Sequence, residues 1–182
     1  MHSDRSLLRS SFTANAVFAL MLLAPGAFAQ DEGGNGSYTA VAESQRPDFT
    51  FNTIDNEPRS ADHWDGQVVL LDFWATWCAP CVREMPIFND LRAKYHEQGF
   101  EVVGLAADER DRVAAFLERV PVDFPILFGN VFEVMDLSLA YGNAAQVLPF
   151  SVLIDRAGNV RYLQKPGGIN REDLEKLIRS LL

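Results

Sequence analysis

Apolar and polar residues alternate along Phe49-Thr50-Phe51-Asn52-Thr53-Ile54 and then meet Asp55-Asn56, a pattern that predicts an edge hairpin. Ser60 to Trp64 reads as one N-capped helical turn closed by Gly66. The next run, Val68-Val69-Leu70-Leu71-Asp72-Phe73-Trp74, is almost continuously apolar and of strand length, as expected of a central strand covered on both faces. From Cys78 to His96 the apolar positions Val82, Met85, Ile87, Leu91 and Tyr95 recur at roughly helical spacing, with Gly99 as the stop and Pro86 as an expected kink. Phe100 to Ala107 predicts a second buried strand, and Asp111 to Val120 a helix with Val113, Phe116 and Leu117 on one face.

The last third is less regular. It suggests a short strand at Pro125 to Phe128, a helix from Phe132 to Tyr141 and a loop running to Pro149. Phe150 to Ile154 and Val160 to Leu163 flank the turn Asp155-Arg156-Ala157-Gly158, giving an antiparallel hairpin. Asn170 is placed to cap a final helix, Arg171 to Leu182, whose Leu174, Leu177, Ile178 and Leu181 share a face. Strand–helix–strand–helix order followed by a hairpin predicts an α/β fold with one mixed central sheet, helices on both faces and an N-terminal β-hairpin extension.

Residues 1–29 differ in kind. Arg5 and Arg9 precede the apolar run Ala14 to Ala24, which Pro25-Gly26 interrupts before Ala27-Phe28-Ala29. That is the layout of a signal peptide cut before Gln30, whereas a membrane-spanning helix needs about 20 apolar residues. Residues 30–46 are polar and Gly-rich and are expected to form a flexible linker, so the folded domain is assigned to residues 47–182. Such a chain is expected in the periplasm or another extracytoplasmic compartment.

The formal net charge of -9 argues against nucleic acid or an anionic membrane as partner. Only two cysteines occur, and both lie in Cys78-Ala79-Pro80-Cys81. A loop this small gives a weak staple, about 2 kcal/mol on the chain-entropy estimate against about 3 for a 15-residue loop. The pair is better suited to opening and closing. Cys78 falls at a strand-to-helix junction, where unpaired amides and the helix dipole favour thiolate, which makes it the candidate nucleophile. Cys81 lies one turn further on, within reach of a mixed disulfide. Asp72 is a carboxylate inside an apolar strand, so burial should raise its pKa and equip it to exchange a proton. Trp77 adjoins the nucleophile as a shield, and Trp74 is expected beneath it. Arg83 and Glu84 read as solvated charges of a first helical turn, and His63 and His96 as surface or packing residues.

The stretch Trp74-Ala75-Thr76-Trp77-Cys78-Ala79-Pro80-Cys81-Val82-Arg83-Glu84-Met85-Pro86 resembles the active-site signature of the TlpA/ResA-like branch of the thioredoxin superfamily. The resemblance extends from about Pro47 to the C-terminus and implies a thioredoxin-like fold. It also implies a cis-proline at Pro149, because Leu148 to Asp155 is similar to the family segment that lies beside the cysteines and binds substrate. By the same resemblance Asp72 would accept the proton of Cys81, while Gly104 stands where thioredoxins carry a lysine. The implied activity is reduction of disulfides in exported proteins, with electrons from a membrane-embedded thiol donor, in some relatives for cytochrome maturation. Relatives serving cytochrome c commonly have Glu after the cis-proline, where this chain has Phe150. A monomer without cofactor or metal is expected. The alternative is a copper-binding or copper-delivery module built on the same two cysteines.

Overall fold

The computed structural model describes residues 36–182, so the expected signal peptide and the first part of the expected linker lie outside the described residues. Twelve main elements follow in order: β1 (Tyr38–Gln45), β2 (Thr50–Thr53), β3 (Pro58–Ser60), β4 (Val68–Trp74), α1 (Ala79–Tyr95), β5 (Phe100–Ala107), α2 (Arg110–Leu117), β6 (Ile126–Gly129), α3 (Val131–Ala140), β7 (Phe150–Ile154), β8 (Asn159–Gln164) and α4 (Arg171–Leu181). The strands form one sheet in the order β1-β8-β7-β4-β5-β6-β2-β3. The parallel pairs β4–β5 and β5–β6 hold the centre, and the remaining ladders are antiparallel.

Every residue of β4 and β5 is buried, as their apolar runs require. Alternation sends Leu70, Trp74, Val102 and Ala106 to one side, against Met85, Phe88 and Leu91 of α1, Val113 and Phe116 of α2, and Leu174 and Ile178 of α4. Leu71, Phe73, Val103 and Leu105 face the other side, with Val134 of α3 and Trp64 of a short 3-10 turn. The chain leaves the end of β4 directly into α1, and that exit positions the cysteines. Helix α1 continues through Pro86. Asn130 and Asn170 cap α3 and α4, accepting from the amides of Glu133 and Asp173. The turn joining β7 to β8 puts Gly158 at φ 81°, a conformation that favours glycine.

Three expectations need correction. Residues 38–45 are not a flexible lead-in: they form β1, antiparallel to β8. An outermost strand pairs on one side only, so a polar composition is compatible with it. Its anchors are Tyr38, buried on the α1 side, and Val41, which packs on the opposite side beyond a register shift between Ala40 and Ser44. Helix α2 ends at Leu117 rather than Val120, although the Val120 amide still reaches the Phe116 carbonyl at 2.9 Å. Ser60 does not cap the 3-10 turn through the backbone; its hydroxyl donates to the Asp62 carboxylate instead.

Because β1 buries Tyr38 and covers β8, a chain with residues 38–45 deleted should lose about 2 kcal/mol or more of stability, the scale of burying one large side chain. Urea unfolding followed by tryptophan fluorescence measures this, and an unchanged midpoint would mean that β1 contributes nothing.

Candidate active site

Cys78 is the N-cap residue of α1 and Cys81 lies in its first turn; they form a disulfide with Cα atoms 5.3 Å apart. Cys78 Sγ accepts a hydrogen bond from the Cys81 amide at 3.3 Å, one of the helix-start donors that stabilise negative charge on sulfur. Cys81 is fully buried and Cys78 is 4% exposed, so the two sulfurs differ slightly in accessibility, in the direction a nucleophile and a resolving partner require. Pro80 occupies the first helical turn, where its missing amide hydrogen leaves no carbonyl unpaired.

The loop before the cysteines is tied down from the end of β5. Thr76 Oγ1 donates to Asp108 Oδ2 at 2.5 Å, and the other Asp108 oxygen accepts the Glu109 amide at 2.9 Å. Trp74 is fully buried in the same core cluster as both cysteines. Trp77 beside Cys78 is 62% exposed. The Leu148–Pro149 peptide is cis. Leu148, Pro149, Pro80, Glu84, Gln164 and Gly168 line a groove of about 490 Å³, which Arg83 and Lys165 also border.

Asp72 sits in the middle of β4, paired in register with Ser151 of β7 on one side and Gly104 of β5 on the other. Strand alternation puts it on the α1 side of the sheet with Leu70 and Trp74. It is 1% exposed, and neither carboxyl oxygen finds a hydrogen-bond partner among the described residues; nor does Trp74 Nε1. Burial first, and the charge of Glu84 second, hold its carboxyl well above the usual range. Gly104 leaves no room for a larger residue opposite. A Cβ there would lie 2.6 Å from Ile126 Cδ1 and 3.1 Å from Trp74 Nε1, so the space of a charged partner is filled by apolar packing.

Glu84 is not a solvated charge: it is 5% exposed and forms part of the groove wall. Burial pushes its carboxyl up to about 7, opposed by donation from Gln164, from the Ile169 amide and by the nearby Arg83 charge. Its signal in the sequence was its spacing, three residues beyond Cys81 and therefore on the same inward helix face. Gln164, Ser151 and Tyr38, which connect to it, carried no such signal, because sheet pairing alone brings them together. His63 packs edge-on against Trp64, and His96 lies 3.4 Å from Glu101; both are away from the cysteines. Among the described residues no group of three or more His, Cys, Asp or Glu is placed to hold a metal ion.

A dithiol–disulfide couple at the start of a helix, beside a cis-proline groove and on a sheet of this topology, defines a thioredoxin-fold thiol–disulfide oxidoreductase. The Redoxin family model matches residues 41–178, and the chain belongs to that family. It is 35% identical over 145 residues to the thiol-disulfide oxidoreductase ResA of Geobacillus thermodenitrificans, covering 79% of this chain and 80% of that one. ResA of Bacillus thuringiensis subsp. konkukian is 34% identical over 138 residues, covering 75% and 76%. Among solved structures, one assigned to a thiol:disulfide interchange protein DsbE of Chlorobium tepidum superposes with a TM-score of 0.69 at 32% identity, over 79% of this chain and 99% of that one.

A raised carboxyl pKa has a defined sign in stability. The folded state keeps the Asp72 proton where the unfolded chain, titrating near 3.8, releases it, so stability is greatest at acid pH and declines as pH rises above that value. Asp72→Asn, which does not titrate, should remove this decline, so that variant stability relative to the parent rises by up to about 1.4 kcal/mol for each pH unit over which the parent keeps the proton. Urea midpoints at pH 5 and pH 8 test it: a variant as pH-dependent as the parent would contradict the assignment of a neutral buried acid.

Proposed function

We propose that this oxidoreductase reduces disulfides of exported proteins, working outside the cytoplasm after removal of residues 1–29, with residues 38–182, β1 included, as its catalytic domain. The observation that carries the reading is the Cys78–Cys81 disulfide at the start of α1, with Pro80 between the two cysteines lining the same groove as the cis-proline segment. The reduced enzyme attacks with the Cys78 thiolate, breaking the substrate S–S bond and expelling one substrate thiolate as a mixed disulfide forms. Asp72, left ionised because its proton went to Cys81 when the pair was reduced, takes that proton back as Cys81 attacks Cys78 Sγ and releases the second substrate thiolate. The enzyme ends oxidised, with two electrons transferred to the substrate. Asp72 ends neutral, the state its dry surroundings favour. Trp77, Leu148 and Pro149 form the surface on which the substrate backbone lies. A membrane-embedded thiol donor returns the enzyme to the dithiol, and cytochrome maturation is one process the ResA and DsbE relatives suggest for it.

The purified protein should reduce insulin when recycled by dithiothreitol, and its reduction potential should lie nearer the roughly -270 mV of thioredoxin than the roughly -120 mV of DsbA. A potential above about -150 mV would reassign it as an oxidase. Cys78→Ser should abolish turnover, whereas Cys81→Ser should accumulate mixed disulfide visible by mass spectrometry. Iodoacetamide should label Cys78 of the reduced protein much faster than Cys81 at neutral pH, and equal rates would overturn the division of roles.

A further inference from the structure

Four buried polar side chains from four elements form a continuous hydrogen-bonded chain. Tyr38 Oη on β1 is 2.5 Å from Ser151 Oγ on β7, and Ser151 Oγ is 3.0 Å from Gln164 Oε1 on β8. Gln164 Nε2 is in turn 3.2 Å from Glu84 Oε1 on α1. All four are buried, and the last forms the wall of the groove beside the disulfide.

The direction of donation follows from what each group can do. The Gln164 carbonyl oxygen has no proton, so the Ser151 hydroxyl donates to it. That uses Ser151's only proton, so Tyr38 must donate to Ser151. The Gln164 amide is thereby held with its NH₂ toward Glu84, where it favours the carboxylate. Were the amide inverted, its oxygen would face a carboxylate oxygen, two acceptors in contact, which only a protonated Glu84 can relieve. We propose that Tyr38, Ser151 and Gln164 form a one-way hydrogen-bond chain through which the outermost strand holds Glu84 as a carboxylate facing the groove, making Tyr38 and Gln164 positioning residues for exchange at Cys78.

The groups around Glu84 divide by sign. Arg83 of its own helix, the Ile169 amide and Gln164 favour the charged form; burial opposes it. Asp72 on β4 is its acidic neighbour, Lys165 after β8 borders the same groove, and Tyr38 on β1 is a neutral donor whose own ionisation burial suppresses. Gln164 is the neutral side chain that donates to Glu84 directly, and its orientation depends on β1. The consequence for catalysis rests on the function proposed above, because a charged Glu84 offers a groove-bound peptide an acceptor where a neutral one offers a donor. The ionisation state itself does not.

The test is the pH titration of the Glu84 carboxyl carbon by ¹³C NMR in the oxidised full chain, its signal identified by its disappearance in Glu84→Gln. The parent midpoint should lie at about 7. Gln164→Leu should raise it by roughly one to two pH units, the scale of one hydrogen bond to a charged group. Tyr38→Phe keeps the buried ring and should shift the midpoint in the same direction by less. It also carries the test should Gln164→Leu fail to fold. The pH profile of insulin reduction should move with these midpoints. A purely structural role would lower thermal stability and leave the midpoints in place. An unmoved midpoint in Gln164→Leu overturns the proposal, and one unmoved in Tyr38→Phe alone removes the edge strand from it. A parent that reduces no insulin would refute the proposed function, leaving the NMR result to decide this inference separately.

Discussion

The constraint on which the molecule depends is the burial of β4 on both faces. Seven consecutive buried residues leave the strand no freedom of register, because a slip by one residue would exchange the two packed sides. With β5 parallel on one edge and β7 antiparallel on the other, the end of β4 becomes a fixed point, and the chain must turn there into α1. The cysteines inherit their position from that turn. Their proximity to Pro149 follows from the place of β7, which starts one residue after the proline and lies next to β4.

Much of this was legible in the order of residues. The apolar runs of β4 and β5, the face of α4 and the capping asparagines each repeat with the period of the element they form. The cysteine pair declared itself by isolation, since two thiols three residues apart have little use as a brace. Asp72 was legible for the opposite reason, as a polar residue where the pattern demanded an apolar one, and in the structure both its carboxyl oxygens are buried without a hydrogen-bond partner among the described residues.

What was hidden had a common cause. β1 is polar because an edge strand needs few inward side chains, and Tyr38 looks like any tyrosine in a Gly-rich leader until β8 is placed beside it. Glu84 looked solvated because a charge in a first helical turn usually is, and only its spacing from Cys81 argued otherwise. Ser151 meets Tyr38 across 113 positions of sequence and Gln164 meets Glu84 across 80, contacts that no local pattern encodes. Sequence patterns report a residue's relation to its own element, whereas the polar interior here is assembled between elements.

The two margins of the sheet are finished in different ways. One is β1, covered in sequence by charged and amide side chains such as Glu43 and Gln45; the other is β3, three residues long and opening with Pro58, which has no amide hydrogen to offer. Short length and proline are devices that discourage strand addition by a neighbouring molecule. For an oxidoreductase that acts on disulfide-bearing substrates, this leaves the sheet's far border a poor template for aggregation.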